Sequence, residues 1–178
     1  MFAEFKTTYG TISAIMIDRR GFRLNVGIIL LNDENKVFWG KRPGHEDAWQ
    51  FPQGGVNSYE TLEETMHREL LEEIGLHPED VEVLGVTKRW LYYRLPYCFQ
   101  RHNQKPLCIG QKQKWFLLKL ISDESKINFE QTDSPEFIDW RWVDYWHPLN
   151  QVVFFKHLVY KKALQELESL LIGNNEKC

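Results

Sequence analysis

The sequence predicts an α/β domain, a mixed β-sheet between helical layers. Three observations carry this. Phe22 to Leu31 runs through β-formers into the unbroken apolar stretch VGIILL, the pattern of a central strand. Thr61 to Gly75 carries the start and stop signals of a helix. Asn150 to Leu171 reads as largely helical, with Leu158, Ala163, Leu164, Leu167 and Leu171 on its buried side and Gly173 as its stop. A chain of 178 residues suits one domain with a full core. The expected organisation is a loosely attached N-terminal extension over residues 1–15, a single domain over 16–172 and a short tail over 173–178.

After the first strand, Asn32-Asp33-Glu34-Asn35 is a turn, and Lys36 to Lys41 is its hairpin partner. Pro43 to Asp47 is a loop. In the first helix Thr61 is the N-cap, and Glu64, three residues on, completes a capping box; Gly75 followed by Pro78 ends the helix. Val81 to Thr87, Trp90 to Leu95 and Lys112 to Leu120 read as strands, the last two joined by a long loop with Pro96, Pro106 and Gly110. Trp140 to Val143 is a further short strand.

Composition excludes several classes. Hydrophobic residues make up 43% and charged residues 26%, a balance that disordered chains do not have. Cys98, Cys108 and Cys178 form no C-x-x-C pair, which argues against a disulfide framework or a zinc site and makes a reducing cytoplasm the expected compartment. Apolar stretches such as Val26 to Leu31 are too short to span a bilayer, and no basic region precedes a long apolar segment near the start; no membrane partner is expected. A net charge of −3 argues against coating nucleic acid by charge alone, and DNA is not an expected partner. From Val83 to Leu120, however, there is no Asp or Glu, while Lys88, Arg89, Arg94, Arg101, Lys105, Lys112, Lys114 and Lys119 interleave with Trp90, Tyr92, Tyr93, Tyr97, Phe99, Trp115 and Phe116. That mixture suits a short single-stranded nucleic acid, and it equally suits a solvated loop over core aromatics.

The segment Gly54 to Leu76, GGVNSYETLEETMHRELLEEIGL, is the most informative. At about 100° per residue, Glu69, Glu72 and Glu73 share one face, with Leu70, Leu71 and Ile74 toward the other. Each unit-charge pair at ~4 Å costs roughly 4 kcal/mol at an effective dielectric of 20. A solvated face tolerates this, whereas a divalent cation turns the repulsion into coordination; an all-oxygen set suits Mg²⁺ or Mn²⁺. Gly54-Gly55 lets the backbone approach a ligand closely, and Arg68 has the geometry to orient a carboxylate through paired hydrogen bonds.

The segment resembles the Nudix box, G-x5-E-x7-R-E-U-x-E-E-x-G-U with U apolar, at Gly54, Glu60, Arg68, Glu69, Leu70, Glu72, Glu73, Gly75 and Leu76. The resemblance implies a Nudix-type α/β/α sandwich with a mixed sheet and a loop-helix-loop box. It implies Glu69, Glu72 and Glu73 as metal ligands, with the Gln53 backbone carbonyl as a further one, Arg68 as an orienting residue and Glu60 as a supporting one. Other stretches resemble the bacterial RNA pyrophosphohydrolase subfamily: GFRLNVGIIL, WQFPQGG, KPLCIGQKQKWFLL, SPEF and WRWVDYWHPLNQVVFFK, together spanning about Met16 to Leu167. This implies that Glu136 reaches the metal cluster from outside the helix. It places Arg23, Arg42, Gln111, Lys112 and Lys114 on the 5′ phosphates or first nucleotides of an RNA, and Phe155 and Lys156 near a base. Phe155 could equally be core. The subfamily's opening pattern falls on Met16 to Gly21, so residues 1–15 stand as an addition.

The implied reaction is hydrolysis at a 5′-triphosphate or diphosphate end of RNA with a divalent metal, Mg²⁺ before Mn²⁺ or another, and with Glu73 as proton acceptor ahead of Glu136. Hydrolysis of dinucleoside polyphosphates is the competing enzymatic reading. A non-catalytic nucleotide or RNA sensor is a third, and it predicts the loss of a ligand that is not lost here.

Overall fold

Apolar runs in the strands and two amphipathic helices sort the chain into layers. The computed structural model describes residues 4–5, 13–14, 16–44, 48–103, 105–130 and 132–172. In chain order the elements are β1 (Glu4–Phe5), β2 (Ser13–Ala14), β3 (Phe22–Leu31), β4 (Val37–Lys41), β5 (Trp49–Gln50), β6 (Gln53–Gly55), α1 (Leu62–Ile74), β7 (Val81–Val86), β8 (Leu91–Arg94), β9 (Gly110–Leu120), β10 (Asp139–Val143), α2 (His157–Leu167) and α3 (Ser169–Ile172). The main sheet runs β10-β4-β3-β9-β7, with β5 on β4, β6 on β3 and β8 on β9. β3 and β9 pair in parallel from Phe22↔Gly110 to Leu31↔Lys119, and the other pairings are antiparallel, so the sheet is mixed as expected.

Side-chain alternation gives each face its own core. Ile29, Leu31, Trp115 and Leu117 pack against Tyr160, Ala163, Leu164 and Leu167 of α2. Ile28, Leu30, Phe116 and Leu118 pack against Met66, Leu70 and Ile74 of α1. Gly27 leaves room for the Trp115 ring: a Cβ there would lie 2.5 Å from the indole.

The hairpin expected after β3 forms and then opens. β4 pairs with β3 at Leu31↔Val37 alone, and further along the same edge β6 replaces it, with Asn25↔Gly55, Val26↔Gly54 and Gly27↔Gln53. β4 instead follows β10 over five pairs, with the Phe137 ring in the space that a Cβ on Gly40 would need. The segment carrying the glycine pair is thus seated between two diverging strands.

Two expectations about the C-terminal helix need correction. The C-terminal helix begins at His157 and not at Asn150; before it lie two short 3-10 turns, His147–Asn150 and Phe154–Lys156. The Val-Val-Phe-Phe run, residues 152–155, has poor helix propensity. The later start also sets the phase: Val159 and Tyr160 are buried, while Leu158 is 60% exposed. Gly173 and the tail lie outside the described residues. Within residues 1–15, β1 and β2 pair with each other, Glu4↔Ala14 and Phe5↔Ser13, as a sheet of their own.

Candidate active site

The first helix is fixed at both ends. The Thr61 hydroxyl accepts from the Glu64 N–H at 3.1 Å, the Glu64 carboxylate accepts from the Thr61 N–H at 2.8 Å, and Gly75 closes the helix at φ 75°. Two acids, Glu69 and Glu73, lie on its buried side with Met66, Leu70 and Ile74, while Glu72 is exposed. The three carboxylates therefore share a face yet differ sharply in solvation. Arg68 ties this region together. Its Nε and Nη2 donate to the two Glu60 oxygens at 2.8 and 3.0 Å, Nη1 to Glu69 at 2.6 Å and Glu72 at 3.1 Å, and Nη2 also to the Gly55 carbonyl at 2.9 Å. Burial alone would raise the Glu60 carboxyl; hydrogen bonds from Arg68, Asn57 and Thr65 outweigh it and hold the group below its usual value.

The two glycines open opposite faces of β6. A Cβ on Gly54 would lie 1.7 Å from the Glu69 carboxyl carbon, and one on Gly55 would lie 2.3 Å from Arg23 Nη2. Gly54 thus seats an acid and Gly55 a base. Next to them, the Gln53 N–H donates to Glu73 Oε2 at 3.0 Å. Burial pushes the Glu73 carboxyl well above the usual carboxylate range, and repulsion from Glu69 and Glu136 pushes it further. Burial also raises Glu69, against the pull of Arg68. Across from Glu73, Glu136 Oε1 accepts from Arg42 Nε at 2.8 Å and Gln50 Nε2 at 3.1 Å. Lys156 Nζ donates to Gln50 Oε1 at 3.1 Å, and burial, with the neighbouring Arg42 charge, lowers it to about 8.

On the α2 side of the sheet a group of amides meets these residues. Gln113 Nε2 lies 2.7 Å from Asn25 Oδ1 and 3.3 Å from Gln53 Oε1 and from Gln111 Oε1. Arg23 Nε and Gln113 Oε1 are buried without a hydrogen-bond partner. The structure brings together Glu69, Glu73, Glu136, Gln53, Arg68, Arg23, Arg42, Gln111 and Lys156. Lys112 and Lys114 point to the other face of β9 from Gln111 and Gln113, because successive strand residues alternate. Lys112 Nζ is 3.7 Å from Asp18 and 5.2 Å from the Trp90 ring centroid; Lys114 Nζ donates to the Thr87 and Lys88 carbonyls at 2.7 and 3.0 Å. Phe155 is half-buried, 5.8 Å from Tyr93 and 5.4 Å from Phe99 between centroids. The basic, aromatic stretch divides: Tyr93, Trp115 and Phe116 are core, while Tyr92, Tyr97 and Phe99 are exposed.

Gln50, Asn25 and Gln113 were not singled out from the sequence. All three are buried amides within strands; for Gln50 and Asn25 the signal is a polar residue flanked by apolar ones, whereas Gln113, between Lys112 and Lys114, carries none.

The donors around Glu69 are all oxygens, mutually repelling and backed by a position where only glycine fits, and that chemistry suits a hard divalent cation. Among the described residues no three His, Cys, Asp or Glu side chains converge as a ready set, and Arg68 Nη1 takes up an oxygen each of Glu69 and Glu72.

The NUDIX domain model matches residues 21–167. An RNA pyrophosphohydrolase of Legionella pneumophila (strain Corby) is 60% identical over 157 residues, 88% of this chain and 89% of that one. One of Cellvibrio japonicus is 57% identical over 152 residues, 85% and 89% of the two chains. Among solved structures, a NUDIX hydrolase of Listeria monocytogenes superposes with a TM-score of 0.61 at 25% identity, covering 87% of this chain and 98% of that one.

Proposed function

The chain belongs to the NUDIX family, and from that premise we propose that it is an RNA pyrophosphohydrolase, converting the 5′-triphosphate or diphosphate end of an RNA to a 5′-monophosphate. Relatives 55–60% identical across most of their length carry that name. The observation that carries the reading is a buried carboxylate pair, Glu69 and Glu73, with Glu136, Arg42 and Lys156 within electrostatic reach of Glu73.

Glu69, Glu72, Glu73 and Glu136, with the Gln53 backbone carbonyl, would hold a divalent cation, Mg²⁺ before Mn²⁺, which supplies charge neutralisation and a more acidic attacking water. Arg23, Arg42 and Lys156 bind the phosphate oxygens and offset the charge that grows on the leaving group. Arg68 orients Glu69 and Glu72 from its seat on Glu60. Water attacks phosphorus, the anhydride P–O bond breaks, and pyrophosphate or phosphate departs. The water's proton passes to a carboxylate. Burial raises Glu73 and so makes it the more basic carboxylate and the first acceptor, with Glu136 next in line. Gln111 and Phe155 contact the first nucleotides. Lys112 and Lys114, on the far face of β9, serve as outer contacts to the RNA backbone. The 5′-monophosphate product is the form that primes messenger RNA for decay.

The test compares turnover of a short 5′-triphosphorylated RNA with that of diadenosine pentaphosphate in Mg²⁺. RNA is expected to have the higher kcat/KM; the reverse order makes the chain a dinucleoside polyphosphate hydrolase.

A further inference from the structure

Phe155 is not an isolated ring. Its centroid lies 5.4 Å from that of Phe154, 5.4 Å from that of Phe99 and 5.8 Å from that of Tyr93. Tyr93 and Phe155 are tied into the core, but the outer rings are not: Phe154 is 74% exposed, Phe99 55% and Tyr97 77%. Folding does not explain two large rings, Phe154 and Phe99, left in water in contact with Phe155, because burying them would have stabilised the chain. The array adjoins the phosphate site: Lys156 follows Phe155 directly, and its ammonium lies 5.9 Å from the Tyr93 ring centroid.

The charge around the array selects its occupant. Phe99 and Tyr97 belong to the acid-free stretch 83–120, and Arg101 and Lys105, both exposed, follow on the same segment. An acid-free basic segment beside exposed rings matches a single-stranded polyanion with flat bases: rings stack on bases of any sequence, and cations meet the phosphates.

We propose that Phe154 and Phe99 flank Phe155 as a stacking platform for the unpaired RNA nucleotides that follow the cleaved end, with Arg101 and Lys105 meeting the intervening phosphates. This rests on the RNA reading above and extends it from the reacting phosphates to the third and fourth nucleotides. The platform is short, so its contribution saturates within a few nucleotides.

The experiment measures KM and kcat for 5′-triphosphorylated RNAs of two, four and twelve nucleotides with the intact chain and with Phe154→Ala, Phe99→Ala and their Trp counterparts. The intact chain is expected to show a KM that falls from two to four nucleotides and then levels. Each Ala variant should raise KM for the four-nucleotide RNA by roughly 5- to 150-fold, the range for one lost base stack, so that the KM ratio between two and four nucleotides moves toward one. The Trp variants should restore the ratio. A KM independent of length in the intact chain, or Ala variants that raise KM equally at every length, overturns the platform while leaving the RNA activity standing. A length effect untouched by the Ala variants, together with a change in their mass by light scattering, also overturns it and makes the patch a self-association face. No turnover of any of the RNAs overturns the RNA reading itself.

Discussion

Replacing Glu73 by Gln removes a charge from a buried carboxylate while leaving an oxygen to accept the Gln53 N–H. Turnover should fall by roughly 10²- to 10⁴-fold, the usual range for a lost acid–base group. In EDTA, the variant should melt above the parent protein, because repulsion from Glu69 and Glu136 is gone. Glu63→Gln, exposed on the first turn of the same helix, should change neither. A second residue tests acid sensitivity away from the site. Asp80 is buried, accepts from the His77 N–H at 2.9 Å and pairs with Lys126 at 2.5 Å. Burial opposes its ionisation, but the bonds from Lys126 and His77 outweigh burial and hold its carboxyl below 3.8. A depressed folded value contributes stability above the unfolded value of 3.8, which is lost as pH falls through the folded value. Asp80→Asn should therefore lower the melting temperature at pH 7, and the gap to the parent should close as pH drops below about 4. At this scale the box glutamates were legible because their spacing is local. Gln50 was not: its partners Glu136 and Lys156 are 86 and 106 residues away in sequence.

Glycines set the contacts between elements, so they are where an added methyl group tells most. Gly27→Ala would drive a Cβ into Trp115, at the centre of the β3–β9 pairing. A loss of about 1–3 kcal/mol is expected from denaturant titration, as for other overpacked cores. Gly54→Ala meets the Glu69 carboxyl carbon at 1.7 Å and should weaken Mg²⁺ binding, measured by calorimetry, more than it lowers the melting temperature in EDTA. β3, α1, β7, β9 and β10 were legible within a residue or two, because capping and periodicity act over a few positions. The start of α2 was less so: the weak helix formers Val152 to Phe155 were there to be read, but that tertiary packing takes Val152 inward and leaves Phe154 outside was not. The opening of the β3–β4 hairpin was equally hidden. It depends on β10, whose five pairs with β4 join residues about a hundred positions apart.

At the scale of the whole molecule, a cation that binds only the native carboxylate arrangement links activity to stability. With free Mg²⁺ about 100-fold above its Kd, stabilisation of about 2.7 kcal/mol is expected, read as a higher melting temperature than in EDTA. Residues 1–15 should be dispensable: among the described residues β1 and β2 pair with each other, and Met16 is already held by the domain, its carbonyl accepting from the Leu24 N–H at 2.8 Å. A chain beginning at Met16 should keep full kcat and KM. The central β3–β9 pairing has a further consequence, for the order of folding. Partners such as Asn25 and Gln113 are 88 residues apart, and closing so long a loop is slow because its entropy is spent before the contacts repay it. The glycine pair and α1 lie inside that loop, while Glu136 lies beyond it, so a cation meets its full ligand set only once that pairing is made. Mg²⁺ should then slow unfolding and leave the refolding rate unchanged, a split that stopped-flow chevrons in Mg²⁺ and in EDTA would read directly.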